Sequence, residues 1–309
     1  MKFPKLKIGD IIPDIPIIQG GMAVRVSTAP LAAAVANEGG IGVIAGSAIS
    51  GKELFEEIKK AKEKTSGIIA TNIMFAVKNF KEVVYAAIEA GVDFIISGAG
   101  FSRDLFSIGK KEKIPIVPIV SSVKLAKISE KLGASAIVVE GGNAGGHIGT
   151  DKDSWDIIKE IKESVNIPVI GAGGIIDKND MKKMFELGVD GVQLGTRFLA
   201  SEESNASDLF KELLIKADKS DIITIISAVG LPANAIKTPL SEKILQGKAP
   251  KPKNCDGCLK ACNKSFCIFE ALLKAIEGDY ENGLFFSGKD GWRIKEILSV
   301  KEIFNRLLS

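Results

Sequence analysis

Short apolar stretches with the look of β-strands alternate with amphipathic stretches of helical period from residue 15 to residue 217, and no other property of the chain narrows its fold so far. The strand-like stretches are residues 15–20, 41–46, 67–74, 93–98, 115–121, 136–140, 168–171 and 191–195. The helical pattern covers 28–37, 52–65, 81–90, 102–108, 123–132, 154–165, 178–187 and 207–217. The strands are β-branched and apolar on both faces, as strands of a parallel sheet covered by helices must be. Eight such units over ~200 residues fit a closed (β/α)₈ TIM barrel. An open doubly wound sheet is the alternative. Glycines favour the barrel, because Gly20, Gly98, Gly141, Gly171 and Gly195 follow the ends of different strands. A barrel builds its site from that whole rim, whereas an open sheet binds ligand mainly at one switch point.

Beyond residue 220 the alternation stops. Residues 221–227 are apolar, 229–234 read as a turn-rich loop, and 246–254 as an exposed, lysine-rich connector. A helix is expected over 268–276, ended by Gly278, and a last one over 300–308. The expected organisation is therefore a barrel over 1–219 and a small C-terminal extension over 220–309, packed on the barrel and carrying the chain's cysteines.

Charge excludes some partners. Forty-one basic residues nearly balance 38 acidic ones, for a net +3, which argues for neither nucleic acid nor an anionic membrane surface. The lysine-rich start, residues 1–7, leads into no apolar core of a signal peptide, and no apolar run reaches spanning length. A soluble, cytoplasmic protein acting on a small molecule is expected. A barrel rim also leaves room for homodimer contacts.

The chain has one histidine, His147, and it closes the glycine-dense stretch Glu140-Gly-Gly-Asn-Ala-Gly-Gly-His147 that leaves the sixth strand. Glycine lets backbone approach a ligand closely, and an imidazole suits proton transfer near neutrality. A structural histidine beside a tight turn is the plain alternative. After the seventh and eighth strands come Gly171-Ala-Gly173-Gly174 and Gln193-Leu-Gly195-Thr196-Arg197. Loops at those two positions cradle phosphate in many barrels, so a phosphorylated ligand is expected there. Ser97, Ser121 and Ser122 lie near strand ends, where a turn role is the plainer reading. Asp151 is expected to cap the next helix, with orientation of His147 as the alternative.

Four segments occur in register: Pro16-Ile-Ile-Gln-Gly-Gly-Met-Ala23, Glu140 to His147, Pro168 to Ile175, and Gln193-Leu-Gly-Thr-Arg-Phe198. Together they resemble the nitronate monooxygenase (2-nitropropane dioxygenase) family of FMN barrel enzymes, which is related to type II enoyl-acyl-carrier-protein reductases. The resemblance covers residues from about 10 to about 210. It implies FMN held by Gly21, Met22, Ala23, Asn72, Glu140, Gly145, Gly173, Gly174, Gln193, Gly195 and Thr196, with His147 as the catalytic group. It further implies oxidation of alkyl nitronates. An NAD(P)H-dependent reductase of enoyl thioesters or quinones on the same scaffold is the first rival. A non-catalytic redox sensor is the second.

All four cysteines, Cys255, Cys258, Cys262 and Cys267, lie in one C-x₂-C-x₃-C-x₄-C run. With no histidine nearby, all-thiolate ligation of a [4Fe–4S] cluster or of zinc is expected, against free thiols or a disulfide. The C-x-G-C-x₃-C portion also resembles the cluster-binding segment of other FMN barrel reductases.

Overall fold

The computed structural model describes residues 3–253 and 255–309. The alternation closes as expected, with β1 (Ile17–Gln19), β2 (Ile41–Ala45), β3 (Ile68–Met74), β4 (Phe94–Gly98), β5 (Ile116–Val120) and β6 (Ile137–Glu140) as its first parallel strands. A two-residue strand, β7 (Gly146–His147), is set apart from the ring, which continues with β8 (Val169–Ala172) and β9 (Gly191–Leu194). Strand β1 pairs with β2 through Ile18 and Ile41 and with β9 through Ile17 and Val192, and this seals the barrel.

Side-chain alternation sorts two cores. Ile18, Ile41, Val43, Phe94, Ile96 and Val138 fill the barrel's interior. Leu6 and Ile8, from the segment before β1, join them. The opposite faces meet the outer helices α1 (Ala29–Asn37), α2 (Gly51–Lys64), α3 (Phe80–Glu89), α4 (Arg103–Glu112), α5 (Val123–Leu132), α6 (Ser154–Ser164) and α7 (Lys178–Glu186). Helix α1 sits so low that a Cβ on Gly42 would lie 1.9 Å from the Ala32 carbonyl oxygen, which explains both that glycine and the alanine-rich helix above it. Ser50, Ser102 and Ser122 accept hydrogen bonds from helix N-terminal amides and so cap α2, α4 and α5.

The eighth outer position departs from the expected pattern. After β9 come a one-turn helix, α8 (Thr196–Leu199), and then α9 (Asp208–Lys216). The helix that packs between α7 and α1 is instead α12 (Val300–Leu308), whose Phe304 ring meets Phe198 at 6.0 Å between centroids. Residues 207–217 form the expected helix, but the ring is completed by a segment about a hundred residues further on.

In the C-terminal part, β10 (Ile222–Ile226) runs antiparallel to β11 (Pro232–Ile236), and β11 runs antiparallel to β7. The expected turn-rich loop is thus half turn and half strand. Gly230, with φ +81, makes the turn, and Pro232 opens the strand, a position that needs no ladder donor. Next come α10 (Pro239–Leu245) and α11 (Ile268–Glu277); α11 ends at Gly278 in the left-handed region.

The cysteine run carries no helix or strand of its own. It is tied to the loop after β3, where the Lys78 amide donates to the Cys258 carbonyl at 2.9 Å and Lys260 lies over the Phe75 ring at 3.4 Å. The metal-site expectation finds no support. All four thiols are free, Cys255 and Cys262 face solvent, and among the described residues no three His, Cys, Asp or Glu side chains gather in a metal-holding group. Cys262 accepts from the Lys264 amide, and Cys267 occupies the N-cap position of α11 without a side-chain capping bond.

Candidate active site

Strand ends line much of the cavity at the barrel's C-terminal rim. Gly21, Met22 and Ala23 follow β1; Asn72 lies on β3, Glu140 ends β6, and Gln193 lies on β9. Gly145 and His147 come from the loop after β6, Gly173 and Gly174 from the turn after β8, Gly195 and Thr196 from the turn after β9. The cavity therefore brings together every residue expected to hold FMN or to move a proton. Ser97 and Ser122 are absent from its walls; Ser97 donates to the Ile73 carbonyl and Ser122 caps α5.

The two glycine turns serve different ends. A Cβ on Gly195 would meet nothing nearer than the Met22 sulfur at 3.9 Å, so the space above it belongs to the cavity. Gly174 has φ +72, and a Cβ there would lie 2.5 Å from Asn143 Nδ2. Its glycine is required by the neighbouring loop as much as by any ligand. Thr196 Oγ1 accepts from the Gly288 amide at 3.0 Å, which leaves its hydroxyl proton for a partner in the cavity.

Polar atoms converge here without partners. Asn143 Nδ2, His147 Nε2 and Gln193 Oε1 are buried and unpaired, and all three residues line the cavity. An unmet buried polar atom costs about 1–3 kcal/mol, so three on one cavity mark the seat of a polar ligand. A flavin nucleotide fits this set, since its ring edge, ribityl hydroxyls and phosphate need both donors and acceptors.

Electrostatics separates the two titratable groups. Burial raises the Glu140 carboxyl to about 8 and lowers the His147 imidazole to about 4. Both are neutral at pH 7: the carboxyl carries a proton to donate, and the imidazole has room to accept one. Opposite shifts in one cavity are the pattern of acid and base assignments. The His147 ring meets Phe286 edge-on at 5.6 Å.

The structure shows several residues that sequence reasoning missed. Asn143 ties the site to α6, because its Oδ1 accepts from the Ser154 amide and hydroxyl at 3.1 and 3.0 Å. Asp151 therefore does not cap α6; the capping position is Asp153, and Asn143 satisfies the helix amide from outside. Asp290 lines the cavity, and burial raises its carboxyl's pKa. One wall is apolar and comes wholly from beyond residue 220: Phe269, Leu272 and Ile276 of α11, then Leu284 and Phe286. The spacing of apolar residues in 268–276 was a usable signal of a buried face, but not of what it covers. Arg197 points away from the cavity; its Nη2 donates to the Ala200 and Glu296 carbonyls at 2.8 Å each, and burial lowers its pKa to about 10.

Comparison with known proteins agrees with this geometry. A family model described as nitronate monooxygenase matches residues 5–309. A probable nitronate monooxygenase of Staphylococcus aureus strain Newman is 30% identical, over 77% of this chain and 80% of its own length. One from Staphylococcus saprophyticus is 29% identical, over 74% and 77%. Among solved structures, FabK from Thermotoga maritima superposes with a TM-score of 0.87 at 34% identity, covering 96% of this chain and 92% of that one. Nitroalkane oxidase from Streptomyces ansochromogenes gives 0.81 at 22% identity over 96% and 95%, a likeness of fold.

Proposed function

The chain belongs to the nitronate monooxygenase family and is an FMN-dependent oxidoreductase, and from that premise we propose that it oxidises alkyl nitronates, with His147 as the proton-handling group. The observation that carries this reading is the convergence of unpaired His147 Nε2, Asn143 Nδ2 and Gln193 Oε1 on one cavity. Bound FMN supplies the electron acceptor. Gly195 leaves room for its phosphate end, and the Thr196 hydroxyl donates to it. Asn72, Gln193 and the protonated Glu140 carboxyl supply donors and acceptors for the ribityl chain and ring edge. Nε2 of the neutral imidazole takes the proton from the carbon beside a nitro group, and the C–H electron pair moves onto the nitro group to leave the nitronate that is then oxidised. The apolar wall of Phe269, Leu272 and Phe286 excludes water from that exchange. In this reading residues 1–219 supply the cofactor's seat and 220–309 supply the wall that closes it.

A second reading is reduction of an enoyl thioester by NAD(P)H. The 34% identity to FabK, an enoyl-acyl-carrier-protein reductase, and the breadth of the apolar wall favour it. Anaerobic spectra separate the two. The purified protein should be yellow, and its flavin absorbance should bleach on adding an alkyl nitronate. Bleaching by NADH with indifference to nitronate moves the assignment to the second reading. A colourless protein that takes up no added FMN ends both.

A further inference from the structure

We propose that Asn234 is the positioning residue of the His147 loop, a role that rests on the functional reading above only where it touches turnover. The loop from β6 to β7 contains Gly141, Gly142, Gly145 and Gly146, and such a chain does not hold one shape unaided. Two of its carbonyls are held by one side chain: Asn234 Nδ2 donates to Gly142 at 2.8 Å and to Ala144 at 2.7 Å. The amide's orientation is set from the other side, where Thr224 and Asn234 Oδ1 share a hydrogen bond of 2.7 Å. Asn234 is fully buried. Its backbone adds to the hold. Asn234 pairs with Gly146 and Ala233 with His147, while the Ile148 amide donates to Pro232 at 2.9 Å. The Ser287 amide donates to the Asn234 carbonyl, which fixes the segment bearing Phe286 against the imidazole.

Asn234 does not line the cavity. It acts through the loop: it keeps His147 in its walled position, where burial alone holds the imidazole's pKa low. The other acids on that cavity, Glu140 and Asp290, do not contribute to the shift. A displaced loop should let the ring reach water and recover ordinary basicity.

The chain's single histidine makes this measurable, since one imidazole NMR signal can be titrated with and without FMN. The wild-type signal should titrate near pH 4. In Asn234→Ala it should move toward the ordinary histidine value of ~6.5. The kcat of that variant should fall about 100-fold, the scale of an ångström of misplacement, while bound FMN stays within about twofold. An unchanged titration in a folded Asn234→Ala protein overturns the proposal, as does a loss of stability and FMN without any change at the imidazole. Should Asn234→Ala fail to fold, Thr224→Val decides: it frees the amide to flip, and a shift in the same direction supports the role, whereas no shift overturns it. A moved titration with unchanged kcat supports the positioning role and overturns instead the assignment of His147 to proton transfer.

Discussion

Two parts of the cavity wall are built by different means. The part with Gly195 and Thr196 hangs on β9 and its following turn, a few residues of continuous chain. The part with His147 leaves β6 on a glycine-rich loop and is held by a sheet whose other strands lie near residue 230. The first is carried by the barrel's own strand and takes one bond from beyond it, from the Gly288 amide to Thr196. The second is a glycine-rich loop held by a distant segment. A cofactor that stays bound suits the first; a side chain that must meet each substrate at one angle needs the second.

The contrast can be broken by mutation. The largest effect is expected from His147→Ala: turnover with nitronate should fall about 10²–10⁴-fold with FMN content unchanged, as checked by steady-state kinetics and flavin absorbance. Loss of FMN would erase the division between the two parts. In the first part, Gly195→Val has the opposite signature. The backbone there has φ −99 and the Cβ position is open, so stability should hold within about 0.5 kcal/mol. The added side chain occupies the cavity, and FMN affinity measured by fluorescence titration should drop about 100-fold, or ~2.7 kcal/mol. Gly174→Ala should do the reverse. Its left-handed φ and the 2.5 Å approach to Asn143 Nδ2 should cost about 1–3 kcal/mol in denaturant unfolding.

The smallest effect is one of pH. Glu140 holds its proton up to about pH 8 when folded, whereas an unfolded carboxyl loses it near ~4.3. The folded state thus binds the extra proton, and stability falls as pH rises through that interval. His147 works the other way: its folded value of about 4 lies below the unfolded ~6.5, so it adds stability as pH rises from 4 to 6.5. The two oppose each other below about 6.5, and between about 6.5 and 8 Glu140 acts alone. Melting temperature of FMN-free protein should decline across that window, and Glu140→Gln should flatten the decline.

What the sequence made legible follows the same division. The eight strands and many of the rim residues announce themselves by short β-branched apolar runs and by glycine after several of them, which are local signals. Asn234 announces nothing: it lies in a stretch that reads as turn, and its value comes from two carbonyls some ninety residues upstream. Likewise Gly174 reads as a ligand-contacting glycine, yet its space is claimed by Asn143. A backbone that must make room for a neighbouring side chain and one that must make room for a ligand leave the same letter. The cysteine run shows the converse: its spacing permits ligation, yet among the described residues no metal-holding group of three forms there.

The place of α12 between α7 and α1 bears on how the protein is made. A chain leaving the ribosome has all eight strands and seven outer helices in hand once β9 emerges. About a hundred more residues must then be added before α12 arrives, and at ~5–20 residues per second that takes roughly 5–20 s. For that interval the groove that Phe304 will fill, beside Phe198 and Gly40, is open and apolar. The nascent barrel presents a chaperone with a surface that the finished protein no longer has.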